Sequence, residues 1–325
     1  MYASKLDLMQ TEVAIKFIKD TFEKELAKKL LLTRVSAPLM VEPETGLNDN
    51  LNGHERRVGF TAGGLNVEIV QSLAKWKRMA LAKYAFEEET GLYTDMNAIR
   101  CDEEMDAIHS IYVDQWDWEK IIKKEERNLT FLQEVVRNIY EVIYQLGVLM
   151  TKEYPIFNYD LPKDIVFIST TELEKRYPNL SRKEREKQIT KEYKAVFLYQ
   201  IGWPLADGKS HDGRAADYDD WHLNGDILLW YDVLEIAFEI SSMGIRVDED
   251  SLVKQLTFKN ELDKLSNPYC QAVVNNKLPY TIGGGIGQSR LCMFFLKKAH
   301  IGEVHASVWP NAMLEELAKK NIYLL

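Results

Sequence analysis

Apolar residues at Leu8, Ile15, Ile18, Phe22, Leu26 and Leu30 recur at helical spacing among lysines and glutamates, and predict a long amphipathic helix over residues 7–30. The stretch from Leu31 to Val41 is strand-like but contains Pro38, which has no amide to donate; it suits an edge strand, a chain crossing or simply a strand end. Pro, Gly, Asn and Asp crowd residues 43–53, a predicted loop, ahead of an alternating run around Val67-Glu68-Ile69-Val70 and a helix over Lys75–Phe86. From Tyr112 to Trp118 apolar and polar residues alternate, which predicts a strand with one core face and one polar face, its register open within one residue. The clearest helical stripe covers residues 128–152, through Leu129, Leu132, Val135, Val136, Ile139, Val142, Ile143 and Leu146. Residues 181–194 read as a mixed-charge helix facing solvent. Further strands are predicted at Ile165–Ile168, Ala195–Ile201, Ile227–Tyr231 and Ala237–Ile240, then a glycine-rich turn before an apolar helix from Leu291. Helices mix with short strands and hairpins without regular βαβ repetition, so the pattern predicts an α+β fold on an antiparallel sheet. No repeat, low-complexity segment or compositional break divides the chain, which reads as one domain over residues 1–325.

Composition narrows this picture. The chain has 325 residues, 46% hydrophobic and 28% charged, enough to bury a sizeable core. Acidic residues number 50 against 41 Lys plus Arg, and a net charge of −9 argues against wrapping a nucleic acid while leaving room for a local basic pocket. Three cysteines, Cys101, Cys270 and Cys292, show no CxxC spacing, so neither a disulfide framework nor a zinc site is expected. The longest uninterrupted apolar run, Leu291–Leu296, is six residues, so neither a signal peptide nor a membrane span is expected and the expected location is cytoplasmic. Without a secretory context the sequons at Asn128 and Asn179 read as chance matches.

Three segments carry candidate chemistry. In Thr281–Arg290 the glycines permit close backbone approach and Arg290 opens a helix beside them. It is no Walker P-loop, and Gln288 occupies the third glycine position of the dinucleotide fingerprint; a nucleotide cradle and a structural turn both remain open. In Phe238–Arg246, alternation places Glu239 and Ser241 on one face, with a bend allowed at Gly244. Glu239, with Asp226 of Asn224-Gly225-Asp226 upstream, could hold Mg²⁺ and leave sites for phosphate oxygens, or could pair with a neighbouring Arg. Arg100, at the end of a strand-loop-strand hairpin running through His109-Ser110 to Trp116, could fork onto an α-phosphate or lie on the surface.

Taken together, the helix followed by the strand with Pro38, the hairpin with Arg100 and the glycine segment with Arg290 resemble the three signature motifs of class II aminoacyl-tRNA synthetases. The blocks Gln71–Arg78, Tyr112–Glu119, Asp217–Trp221, Asn224–Ile227 and Gly283–Arg290 resemble the ammonia-dependent asparagine synthetases, or aspartate-ammonia ligases, over essentially the whole chain. That resemblance implies a single class II-like catalytic domain, an antiparallel sheet flanked by helices, acting as a homodimer. It implies ATP-dependent amidation of L-aspartate by free ammonia through β-aspartyl-adenylate, with release of AMP and pyrophosphate and use of Mg²⁺. Neither a nucleic-acid nor a membrane partner is expected.

The resemblance also implies roles. Arg100 and Arg290 would clamp phosphate and adenine, and Asp226 and Glu239 would hold Mg²⁺. Lys77, with Ser72 on the preceding turn, would pair with aspartate's carboxylate, or else lie on a helix surface. Gln115 and Asp117, two apart on one strand face, would hold the α-ammonium, while Asp114 points to the opposite face as a structural carboxylate. Asp49 would attract ammonium and help deliver ammonia, or else serve as a turn residue. Asp49, Arg100, Gln115 and Arg290 are thus the candidate catalytic residues. Ser241, Ser242, Arg246 and Gly287 are placed beside the nucleotide, and Asp219 in the pocket lining.

Free ammonia as donor also follows without the resemblance. An N-terminal-nucleophile glutaminase needs a cysteine after the initiator Met, where this chain has Tyr2, and none of the three cysteines has an obvious His-assisted setting. Three departures from the family stand out: Gln71 where some relatives carry His, a connection between Trp221 and Leu223 shorter than the expected family loop, and Tyr231-Asp232-Val233 in place of Asn-Pro. Two other functions remain open: a class II synthetase charging tRNA with Asp or Asn, and an inactive paralogue that binds nucleotide or amino acid.

Overall fold

The computed structural model describes residues 2–49, 51 and 55–325. The first helix, α1 (Leu8–Leu30), is capped by Asp7, whose carboxylate accepts the Gln10 amide at 2.8 Å, and ends at Leu31 in the left-handed region. There follow β1 (Leu32–Arg34), β2 (Met40–Val41), β3 (Gly59–Ala62), β4 (Leu65–Ile69), α2 (Ala74–Lys83), β5 (Gly91–Ile99) and β6 (Tyr112–Ile121). The middle of the chain forms α3 (Leu129–Glu153), β7 (Val166–Ser169), α4 (Thr170–Arg176), α5 (Arg182–Tyr193) and β8 (Ala195–Tyr199). The last part forms β9 (Asp219–Tyr231), β10 (Ile236–Arg246), α6 (Glu249–Lys259), α7 (Pro268–Val274), β11 (Thr281–Gly287), α8 (Gln288–Phe295) and α9 (Asn311–Lys319).

One eight-stranded sheet runs in the order β1-β5-β6-β11-β10-β9-β8-β7, and a small antiparallel sheet in the order β2-β4-β3. The predicted antiparallel sheet holds from β5 to β8, but the edge pairs β1/β5 and β7/β8 are parallel. Pro38 does separate two strands, and β1 and β2 belong to different sheets.

One face of the large sheet carries α1, α3 and α8. There Phe22, Trp116, Trp118, Ile139, Phe238 and Phe295 are essentially fully buried in a common core, each contributing roughly 1.5–3 kcal/mol by leaving water. On the other face α2 covers β5, β6 and β11, and α5 covers β8, β9 and β10. The strand centres between those two helices form the floor of a cleft.

Three expectations need correction here. The glycine segment is strand β11 rather than a turn, because its neighbours leave no room for side chains: a Cβ at Gly283 would lie 2.0 Å from Glu119 Oε2, and one at Gly285 2.3 Å from Gln115 Oε1. Strand β9 begins at Asp219, not Ile227, and passes unbroken through His222, so no loop belongs between Trp221 and Leu223. Its first half is polar because Asp219 lines the cleft, Asp220 pairs with Arg127 and Asn224 bonds the backbone of Ile201. Finally, a bulge in β10 between Glu239 and Ser241 breaks the alternation that placed those two on one face. Ser241 sits opposite Ile227 and Ile286, both in the core, and Ser242 takes the position opposite Asp226.

Candidate active site

The cleft has a volume of about 390 Å³, within the size range of small-molecule sites. Gln115, Asp117, Ser242, Arg246 and Gly285 line its floor, Ser72 just ahead of α2 and Lys77 within it one wall, and Arg214, Glu239 and Arg290 the other. Arg100, just past the end of β5, reaches in from the hairpin. Ser241, Asp219 and Gly287 also line the cleft. Asp49 and Asp226 stand behind this lining, bound respectively to Ser72 and Arg214.

A chain of buried charges fixes the floor. The Lys77 ammonium donates to Asp117 Oδ1, to the Trp118 carbonyl at 2.9 Å and to the Gly284 carbonyl at 3.0 Å. Its three donors are used up, so the expected pairing of Lys77 with aspartate's carboxylate gives way to a different arrangement: Lys77 is a post that holds Asp117. Burial lowers its pKa, against the attraction of Asp117 and Glu119. Glu119 accepts Arg246 Nε at 2.9 Å, Arg246 Nη2 at 2.7 Å and the Thr281 hydroxyl at 2.7 Å. Burial opposes its ionisation, but Arg246, Lys77 and Thr281 outweigh burial and hold its pKa below the ordinary value. Arg246 also binds Asp219, so both of these predicted contact residues are engaged within the protein. Burial outweighs Arg246 at Asp219, whose pKa is raised.

Among the buried side-chain atoms without a hydrogen-bond partner, two belong to cleft-lining residues of opposite charge: Asp117 Oδ2, an acceptor, and Arg100 Nε, a donor. They give one cleft an open site for a cation and an open site for an anion. Arg100 Nη2 approaches the Gln71 carbonyl at 3.5 Å, so the glutamine standing in place of His still orients the arginine through its backbone. Asp49 accepts the Leu51 amide at 2.9 Å and the Ser72 hydroxyl. At the other end, Arg290 Nη1 donates to the Glu239 carbonyl at 3.1 Å and lies 3.7 Å from its carboxylate. Asp226 Oδ2 binds Arg214 while Oδ1 is buried and unpartnered. Burial pushes the Asp226 carboxyl up to about 7, with Glu239 adding to the rise and Arg214 opposing it. Burial also raises Glu239, but Arg290, Arg214 and Lys183 outweigh it and its pKa is lowered.

The sequence reading missed Glu119, Arg214 and the buried Lys75–Asp217 pair, whose charged atoms are 2.9 Å apart. Glu119 had a signal, since it continues the Gln115, Asp117 face of β6. Arg214 lies in an irregular segment with no pattern, and only folding brings it to Asp226.

A family model described as aspartate-ammonia ligase matches residues 9–321. The chain belongs to the aspartate-ammonia ligase family. It is 59% identical over 325 residues to the aspartate-ammonia ligase of Fusobacterium nucleatum, covering 100% of this chain and 99% of that one. To the enzyme of the same name from Clostridium tetani it is 58% identical over 327 residues, with 100% and 96% covered. These full-length matches agree with an unbroken β9. Among solved structures it resembles an asparaginyl-tRNA synthetase from Pyrococcus horikoshii complexed with asparaginyl-adenylate (TM-score 0.68, 18% identity, 92% of this chain and 70% of that one). It also resembles the Entamoeba histolytica asparaginyl-tRNA synthetase in complex with asparaginyl-adenylate (TM-score 0.65, 17% identity, 92% of this chain). The chain spans 66% of the length of the latter, and at such identities the likeness is one of fold. The class II synthetase-like α+β fold expected from the motifs is therefore borne out, and this family member is an enzyme. Among the described residues no helix is long and apolar enough to cross a membrane.

Proposed function

We propose that the cleft catalyses ATP-dependent amidation of L-aspartate by free ammonia, through β-aspartyl-adenylate, to L-asparagine, AMP and pyrophosphate. The observation that carries the residue-level reading is the pair of unpartnered atoms, Asp117 Oδ2 and Arg100 Nε, in one buried cleft. Asp117, held by Lys77, accepts the substrate's α-ammonium together with Gln115. Arg100 binds the α-phosphate and neutralises charge as the β-carboxylate attacks phosphorus and pyrophosphate leaves. Arg290 holds the nucleotide from the far wall, with Ser242 and the backbone of Gly287 beside it.

The second half needs a nucleophile with a free lone pair. Asp49 accepts a proton from ammonium, and the resulting ammonia attacks the activated carbonyl; the bond to the phosphate oxygen breaks, AMP leaves, and the second nitrogen proton passes to the departing phosphate or to solvent. Its bonds to Ser72 and Leu51 keep the carboxylate fixed for that transfer.

Mg²⁺ fits Asp226 and Glu239. Asp226 Oδ1 is a buried oxygen lacking a partner, Glu239 lies on the neighbouring strand, and two carboxylates are the usual protein share of a Mg²⁺–nucleotide site. When bound, the ion neutralises phosphate charge. We place the enzyme in the cytoplasm as a homodimer, with small-molecule substrates as its partners.

The test is formation of AMP and asparagine by purified protein with ATP, Mg²⁺ and aspartate, comparing ammonium chloride with glutamine. Equal amounts of AMP and asparagine with ammonium alone support the proposal. Aspartate-dependent pyrophosphate exchange without asparagine would mean that the adenylate forms but another acceptor takes it, and tRNA would be tried next.

A further inference from the structure

On the face of β6 opposite Gln115, at the edge of the cleft, a buried cluster around Asp114 joins β6 to α1, to α8 and to the segment that follows α8. Asp114 accepts the Ser289 backbone amide at 3.0 Å, the Ser289 hydroxyl at 2.8 Å and the Lys19 ammonium of α1 at 3.0 Å. Ser289 lies in the first turn of α8, next to Arg290. His305, just beyond the short turn Ile301–Glu303, has Nδ1 2.7 Å from Ser289 Oγ and Nε2 2.9 Å from the Tyr112 carbonyl. The same segment is tied to the Arg100 hairpin: the Ile301 amide donates to the Ala107 carbonyl at 2.8 Å, and the Ser110 and Ser307 hydroxyls lie 2.9 Å apart.

Counting protons decides the state of this cluster. The Tyr112 carbonyl only accepts, so His305 Nε2 carries a proton. Asp114, ionised, only accepts, and Ser289 has one hydroxyl proton for two close neighbours. With neutral His305 that proton serves either Asp114 or Nδ1, and one short contact has no proton. With His305 doubly protonated, Nδ1–H donates to Ser289, Ser289 donates to Asp114, and every contact is filled.

We infer that Asp114, Ser289 and His305 are positioning residues for Arg290, and that their clamp is complete when His305 carries both ring protons. The inference rests on the proposed role of Arg290 in nucleotide binding. The complete clamp fixes the first turn of α8 to β6 and, through residues 301–307, to the hairpin of Arg100, keeping the two guanidiniums in register. The titratable groups against His305 are Asp114, whose Oδ2 lies 3.7 Å from Nδ1, and the Tyr112 phenol of β6, its ring tilted over the imidazole at 4.4 Å between centroids; Lys19 of α1 and Cys292 of α8 flank Asp114. Burial pushes Asp114 up, but Lys19, His305 and the Ser289 bonds outweigh it, so Asp114 keeps its charge. Burial raises Tyr112 and Cys292, which are neutral groups beside Asp114.

Calorimetric Kd for ATP with Mg²⁺ and without aspartate, measured at intervals from about pH 6 to about pH 9, tests this. Wild-type affinity should fall on the order of tenfold, about 1.4 kcal/mol, as His305 loses its proton. His305→Ala should bind weakly at every pH without that step. His305→Asn, whose carboxamide keeps an N–H toward Ser289, should bind well at every pH, and it also corrects for titration of ATP itself. Ser289→Ala carries the same expectation as His305→Ala if that variant does not fold. In ¹⁵N-histidine spectra of the wild type, the resonance lost in His305→Asn should report both nitrogens protonated below the affinity step. A ring neutral throughout, or unchanged affinity in His305→Ala while Arg290→Ala is weakened, overturns the inference. Unchanged affinity in Arg290→Ala overturns the role of Arg290 and the inference with it.

Discussion

At the scale of single residues, the two half-reactions separate cleanly. Asp49 faces the ammonia step, so Asp49→Ala should reduce asparagine formation at least tenfold more than aspartate-dependent pyrophosphate exchange; equal losses would remove its proposed role. Asp117→Asn keeps the shape but removes the charge that meets an α-ammonium, a charge-assisted contact of about 1.5–3 kcal/mol. It should raise KM for aspartate roughly 10- to 100-fold with KM for ATP little changed, read from initial rates. Cysteine reactivity is also a residue-scale property. Burial pushes the Cys292 thiol up to about 12 and Cys270 to about 11, whereas Cys101 is partly exposed. Thiol titration of the native enzyme should therefore count one reactive cysteine per chain, Cys101, and three after unfolding.

At the scale of elements, strand β11 depends on having no side chain at Gly283 and Gly285. Gly283→Ala would place a methyl group against Glu119 and Arg246 Nη2, and Gly283 is strand-like rather than left-handed, so the conflict is steric. Overpacking of this kind costs about 1–3 kcal/mol, and denaturant unfolding should show a loss at or above that range. The glycines were visible in the sequence, and so was their nearness to Arg290; that they make a strand was not. Local glycine content reads as a turn, and only the neighbouring β6 and β10 side chains, distant in sequence, forbid anything but glycine there. The β10 bulge escaped for a related reason. Alternation counts positions along one strand, whereas register is set against β9 and β11, and one extra residue moves Ser242 to the place expected for Ser241.

At the scale of the whole molecule, the buried network Lys77–Asp117, Glu119–Arg246–Asp219 ties α2 to β6, β9 and β10. Glu119→Gln removes one partner and leaves Arg246 partly uncompensated, at a cost of about 3–5 kcal/mol at neutral pH. The pH dependence has a definite sign. Because the folded pKa of Glu119 is lowered, its stabilising contribution is present above the unfolded value of about 4.3 and is lost as pH falls through the folded value. The Tm gap between wild type and Glu119→Gln should be widest near neutrality and should narrow in acid; a gap constant with pH would contradict this reading.

What the sequence determined by itself was whatever depends on near neighbours. The stripes of α1 and α3, the alternation of β6 and the ordered motif blocks around Arg100 and Arg290 are written within short windows, and they sufficed for the α+β class, the family and most of the residues around the cleft. Tertiary structure decided the partners. Lys77 was legible as a helix lysine next to a site, but its three acceptors come from β6 and β11, and they turn a substrate ligand into a support. Arg214, Glu119 and His305 acquire their meaning from groups 12, 127 and 16 positions away, Asp226, Arg246 and Ser289. The physical reason is that helix and strand patterns record only burial against the same element's next turn or pleat, whereas the state of a buried charge is set by the charges and dipoles around it, which the chain assembles from every part of its length.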